Sequence, residues 1–303
     1  MALVRGKGEM HMRYRFAAVT ALTATVIGGA AGAQESNYST YGMSYGTMGS
    51  TLGDSDIFRL SFSGEYDTNP FLLSGGFSAT GIDGPLGTIE QYRVDALVGY
   101  LIEPQLMLYL DAEATHTGGV GTETLISPGI EHTREKRTLG FYIEGDSNTL
   151  PTTVAYYGYR FSEETEVSFE VNHNDISDTI VYTLMADHKL GQLDLTALWM
   201  GEDTAPFNII GFRGTYDFDN RFRLLTGAMY FEDGISAIKT YDFGAGYELN
   251  EDMWLDAVYT SVEGDTITDD IFVVGIRFEL GEHRLLRTRI EDARASVVGF
   301  FAP

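Results

Sequence analysis

The sequence predicts an all-β fold, a transmembrane antiparallel up-and-down β-barrel of about sixteen strands, with fourteen as the smaller alternative. Three observations carry that reading. From Tyr38 to Leu280, segments of about 9–13 residues alternate apolar with polar or small residues, the period of a strand whose two faces meet different surroundings. The segments are also long: soluble strands cluster near 5–6 residues, whereas a tilted strand crossing a bilayer needs about 9–11. Third, aromatic residues recur near the ends of the apolar faces, at Phe58, Tyr66, Tyr92, Tyr100, Phe161, Phe207, Phe218, Phe222 and Tyr230, as an interfacial girdle requires. A soluble sandwich shares the alternation by turning its apolar faces on each other, but neither the strand length nor the girdle.

The elements follow in chain order. Arg13 and Arg15 precede an apolar run from Phe16 to Gly29, and Ala31-Gly32-Ala33 has the small-x-small form of a signal-peptidase site. Residues 1–33 therefore read as a secretory signal peptide cleaved before Gln34. Its apolar run is too short to span about 30 Å of hydrocarbon. The barrel proper is 34–280, with strands expected near 38–49, 55–65, 70–80, 89–102, 105–117, 122–133, 137–147, 152–162, 166–175, 178–190, 192–203, 207–218, 222–233, 236–249, 253–264 and 268–280. The alternation is explicit in 240–249, where Tyr241, Phe243, Ala245, Tyr247 and Leu249 oppose Thr240, Asp242, Gly244, Gly246 and Glu248. Leu108 and Leu110 oppose Tyr109 and Asp111 in the same way, and Phe272, Val274, Ile276 and Phe278 oppose Val273, Gly275 and Arg277. Gly75-Gly76 and Pro128 interrupt the pattern in 70–80 and 122–133. Glu103-Pro104, Gly191, Asp219-Asn220 and Asn250-Glu251-Asp252 supply turn residues. If the last strand runs toward the periplasm, every second connection is periplasmic, and all of those are short, which makes sixteen strands self-consistent.

Composition excludes several classes. The chain has 303 residues, no cysteine, and 20 Lys+Arg against 44 Asp+Glu. Disulfides, cysteine-ligated metals, a cysteine nucleophile and N-terminal cysteine lipidation are thereby ruled out. The net charge of −24, which becomes −27 without residues 1–33, opposes binding to a phosphate backbone. A mean hydropathy of −0.09 is that of a soluble protein, but in a barrel each lipid-facing residue is offset by a wet one, so the average hides the apolar half.

The final strand carries a resemblance. Gly275-Ile276-Arg277-Phe278-Glu279-Leu280 is similar to the assembly signal of outer-membrane barrels, in which Gly275 is followed by the outward residues Phe278 and Leu280. With the signal peptide and the amphipathic strands, 34–280 resembles a general porin of Gram-negative bacteria. The resemblance implies an outer-membrane location, insertion by the barrel assembly machinery, lipid and lipopolysaccharide as neighbours, and a homotrimer. It also implies a long third loop folded into the pore, which only 118–136 is long enough to supply. General porins tend to end on the last strand, whereas this chain continues through 281–303. That tail bears Arg284, Arg287, Arg289 and Arg294, with Leu285, Leu286, Ile290 and Val297 near a helical stripe. It reads either as a periplasmic helix that partly occludes the lumen or as a loose extension.

The wet faces place acids at Glu65, Asp95, Asp111, Glu113, Glu144, Glu166, Glu170, Asp194, Asp217, Asp242, Glu248, Asp256 and Glu279, and bases at Arg59, Arg93, Arg160, Lys189, Arg213, Arg223 and Arg277. Excess fixed negative charge concentrates cations. The expected function is thus passive diffusion of small hydrophilic solutes with mild cation preference. Pairing of these charges across neighbouring strands is the competing account of any one of them. The alternatives are a lipase-like or protease-like barrel enzyme, and a structural outer-membrane protein without an open pore. For an enzyme, His173 and Asp175 are the best general-base pair. No nucleophile elbow, phosphate loop or metal-ligand spacing is present, so no cofactor, metal or catalytic residue is expected.

Overall fold

The computed structural model describes residues 36–49, 53–85, 87–145, 151–174, 177–204, 206–250, 252–265, 268–281 and 285–298, excluding the side chains of 36–38, 279–280 and 296–298. The segment read as a signal peptide lies outside these residues. The strands are β1 (Ser36–Gly49), β2 (Ser55–Thr68), β3 (Phe71–Gly84), β4 (Gly87–Glu103), β5 (Leu106–Thr117), β6 (Gly121–Arg134), β7 (Arg137–Glu144) and β8 (Thr152–Arg160). They continue as β9 (Thr165–Asn174), β10 (Thr179–Leu190), β11 (Leu193–Glu202), β12 (Asn208–Asp217), β13 (Phe222–Glu232), β14 (Ala237–Asn250), β15 (Met253–Gly264) and β16 (Thr268–Gly281). One helix, α1 (Leu286–Val298), follows.

Each strand pairs with its sequence neighbours, and β1 pairs antiparallel with β16 from Tyr38↔Gly281 to Gly49↔Asp270, so the sheet closes. Closure removes the two edges whose unpaired amides hydrocarbon could not satisfy. The count is sixteen, which sets aside fourteen.

Alternation assigns the faces. On β14 the side chains of Tyr241, Phe243, Tyr247 and Leu249 are exposed outward, while Thr240, Gly244 and Gly246 are buried inward. The outer surface carries large apolar residues throughout, Phe243 at 65% exposure, Leu139 at 58% and Ile210 at 56% among them. Water would penalise so much exposed apolar area, and lipid would not. Ring pairs gather where strands meet the tightest turns: Phe71–Tyr100, Tyr159–Phe161, Tyr216–Phe218 and Phe222–Tyr247, with centroids 4.7–5.4 Å apart.

The sequence interruptions have local solutions. β3 runs through Gly75-Gly76, and a Cβ at Gly76 would meet the Asp95 carboxylate 2.7 Å away, so the missing side chain makes room for that acid. Pro128 has no N–H to donate. Accordingly the β6–β7 ladder stops at Gly129↔Tyr142 and resumes, in register, only as the single bridge Ile126↔Gly145.

Seven connections of two to four residues lie at the end where both strand termini emerge, called here the turn end. Arg221, Asp252 and Gly191 in these turns adopt positive φ, as tight reversals demand. The eight connections at the other, loop end have two to seven residues. Between β5 and β6 there are only three, 118–120, so 118–136 is a turn and a strand, and the inward-folded third loop implied by the resemblance is not built. At that end Ile57, Val262, Ile271 and Val273 pack together on the inner face.

Candidate functional site: the lumen and its internal helix

Gly281 ends β16 at φ +75°, a left-handed conformation that glycine accepts at little cost. Residues 285–298 lie within the barrel, against its inner wall. Leu285, Leu286 and Ile290 are almost fully buried against inward-facing Leu72, Leu97, Met107, Tyr109, Tyr142, Val154 and Tyr156. Burying side chains of this size contributes about 1.5–3 kcal/mol each. Gly158 of β8 is the notch for Leu286: a Cβ there would sit 2.5 Å from the leucine's Cδ2.

The wall beneath the helix is built by register. Tyr109 faces Gly129 across β5–β6, and Tyr156 faces Gly140 across β7–β8. A Cβ on either glycine would run into the ring opposite, so glycine lets each tyrosine lie flat along the wall. The rung Met107↔Glu131↔Gly140↔Tyr156↔Glu170↔Thr183 then presents acids and hydroxyls beside apolar area. The Tyr156 hydroxyl donates to Glu131 at 2.9 Å and lies 3.3 Å from the Tyr109 hydroxyl.

Wall carboxylates bind the helix at four points. The amide of Leu286 donates to Glu131 Oε2 at 3.1 Å, so an acid of β6 satisfies a first-turn N–H that the helix itself cannot. Arg287 donates to Asp111 at 2.8 Å and to Glu291 at 2.9 Å, with its guanidinium 4.1 Å from the centre of the Tyr142 ring. Arg289 reaches Glu166 at 2.7 Å, and Arg294 reaches Glu170 at 2.5 Å. Burial disfavours charge on Arg287 and Arg294, but Glu291 and Asp111 in one case and Glu170 in the other more than offset it, and both are held above the ordinary arginine value. The helix also runs beside β11, β12 and β13.

The sequence-derived lumen residues divide between pairs and cavities. Arg93 pairs with Glu113 at 2.9 Å and Arg160 with Glu166 at 3.1 Å. Asp256, fully buried, holds both Arg223 at 2.7 Å and Arg277 at 3.2 Å, and Arg223 stacks 4.0 Å over Trp254. Asp242 accepts from Thr260 at 2.5 Å, while Glu144 is half-buried at the end of β7. One cavity of about 340 Å³, bordered by α1 and by β1–β5, β12 and β16, collects Arg59, Arg93, Asp95, Asp111, Arg213 and Arg277. A second, of about 480 Å³, collects Arg213, Asp217, Glu248 and Arg277 near the turn end. Of the assembly-signal residues, Gly275 is buried opposite Asp256 and Ser44, Phe278 is half-buried opposite Tyr41 and Met253, and the Leu280 side chain falls outside the described residues.

Sequence reasoning missed Glu131, Tyr109, Tyr142, Tyr156 and Gly158 as a helix receptor. The available signal was aromatic and apolar residues at inward positions of strands that otherwise face water. Of the proposed base pair, Asp175 lies outside the described residues, and His173 faces Asp178, with 3.4 Å between Nε2 and Oδ1. Among the described residues no group of three His, Asp or Glu is placed to hold a metal.

No family model and no curated protein matches the chain. Among solved structures, a triple mutant of the Rhodopseudomonas blastica porin superposes with a TM-score of 0.53 at 11% identity, covering 81% of this chain and 100% of that one. A second engineered variant of the same porin gives 0.52 at 12% identity with the same coverage. At these identities the likeness is one of fold.

Proposed function

We propose that the chain is an outer-membrane channel for passive diffusion of small hydrophilic solutes, with mild cation preference. The observation that carries this reading is the pairing of a lipid-type exterior with a charged, cavity-bearing lumen in one closed barrel. A barrel serving only as an anchor needs no solvated interior cavities. Residues 1–33 act as the export signal, and the turn end lies in the periplasm as in other barrels with both termini on that side. Outer-membrane lipid and lipopolysaccharide surround it, the assembly machinery inserts it, and a homotrimer is the expected assembly. The reading is non-enzymatic.

The helix moderates the charge argument. Arg287, Arg289 and Arg294 occupy Asp111, Glu166 and Glu170, so three wall acids no longer act on a passing ion. Mild preference is therefore the expectation, and removal of residues 282–303 strengthens it. Reversal potentials across planar bilayers under a salt gradient test this. Cation selectivity that rises on truncation supports the reading; anion selectivity, or no conductance from either chain, overturns it.

A further inference from the structure

The inner wall is uneven in side-chain size. On β5–β8 its positions hold Met107, Tyr109, Tyr142, Val154 and Tyr156, and α1 lies against them. On β1–β3 the mid-wall positions are glycine or serine: Gly42, Ser44, Ser61, Ser63, Gly76 and Ser78. Large side chains and the helix fill one arc of the lumen, and small ones leave room at another. The 340 Å³ cavity is bordered by this glycine–serine wall and by Thr288, Glu291, Asp292 and Ala295 of α1, with β4, β5, β12 and β16 completing it. Charges of both signs line it from wall and helix alike, Asp95 and Asp111 on the one and Arg287 on the other, so size and not sign distinguishes this side of the lumen. The 480 Å³ cavity near the turn end shares two lining residues with it, Arg213 of β12 and Arg277 of β16, so the two spaces adjoin there. Acids line each cavity, but among the described residues only these two arginines line both.

We infer that solutes cross along the β1–β3 side of α1 and pass between the two cavities at Arg213 and Arg277, which makes Arg213 a selectivity-determining residue. The inference rests on the channel reading and gives that channel its route. Fixed charge where two spaces adjoin acts on every ion that moves from one to the other, whereas charge elsewhere on a wide wall is more easily bypassed. The arginines at this junction oppose the cation preference that the acidic excess of the lumen imposes.

The chain has no cysteine, so single cysteines treated with charged methanethiosulfonates report the route. Ser61→Cys and Ser78→Cys are near-isosteric and should conduct as the parent does until the reagent is added. The reagent should then lower single-channel conductance by roughly half or more in each. Ser168→Cys is the control: Ser168 is 1% exposed on β9 and lies opposite Gly158, the notch of Leu286, so it should react only in a chain ending at Gly281. Arg213→Cys should raise the cation-to-anion permeability ratio about twofold, the scale of a partly solvated charge. A cationic reagent on that variant should restore the parent ratio and an anionic one of similar size should raise it further, which separates charge from packing. No conductance change in Ser61→Cys and Ser78→Cys, or ready modification of Ser168→Cys in the full-length chain, overturns the route. A ratio indifferent to the charge at position 213 overturns the role of Arg213. Both outcomes leave the channel reading intact, whereas absence of conductance from the parent chain overturns that reading itself.

Discussion

Two arcs of the lumen wall obey the same alternation and carry opposite chemistry. On β5–β8 the inward positions hold Met107, Tyr109, Tyr142, Val154 and Tyr156, buried beneath α1. On β12–β16 near the turn end they hold Arg213, Arg223, Asp242, Glu248, Asp256 and Arg277, bordering a wet cavity or paired across the wall. Period two assigns a residue to a face and says nothing of what occupies that face. An inward apolar residue in a water-lined barrel must be covered. The loop-end group of Ile57, Val262, Ile271 and Val273 is covered by its own members, whereas the arc on β5–β8 is covered by the chain's own tail.

The comparison breaks first at Gly158. Gly158→Leu fills the notch of Leu286, and release of the helix is the expected outcome. Trypsin should then cut after Arg287 and Arg289, which the docked chain protects, while the barrel stays resistant. A protected tail in this variant would show that the notch is not the seat. The opposite arc supplies the next largest effect. Asp256→Ala removes the carboxylate that Arg223 and Arg277 share, and breaking a buried pair of this kind costs roughly 3–5 kcal/mol. Urea unfolding should register that loss in the barrel, with tail protection unchanged, because the ion pairs of Asp256 go to Arg223 and Arg277 of the wall and those of α1 to Asp111, Glu166 and Glu170.

Smaller substitutions sharpen the ranking of the helix contacts. Arg289→Gln removes a pair with Glu166 whose arginine is 23% exposed, so about 1 kcal/mol or less of docking is lost, visible as a modest rise in tail cleavage. Glu131→Gln keeps an oxygen for the Leu286 amide and loses only the charge facing the helix N-terminus, about 0.3–1 kcal/mol. Equal cleavage rates for Gly158→Leu and Glu131→Gln would contradict the view that apolar burial outweighs charge in seating the helix.

The barrel was legible in the sequence because its determinant is local. Tyr241 to Leu249 reveal their two faces within ten residues, and the turns at Gly191 and Asp219-Asn220 are punctuated by residue type. Pro128 and Gly75-Gly76 looked like breaks because a ladder can miss one bond, or yield space to a neighbour's carboxylate, without losing register. The internal helix was only half legible. Its stripe of Leu286 and Ile290 is visible, but its partners Glu131, Asp111, Glu166 and Glu170 lie 123–176 residues away. Only strand register brings them together, and no local pattern reports register between a tail and a wall.

The central claim is that the tail helix, and not a loop, narrows a channel. Single-channel conductance of the full-length chain against a chain ending at Gly281, in one bilayer and one salt, tests it most directly. The account predicts that both form channels and that truncation raises the conductance severalfold, because the lumen cross-section that α1 fills is then open. Equal conductance in the two chains would contradict it.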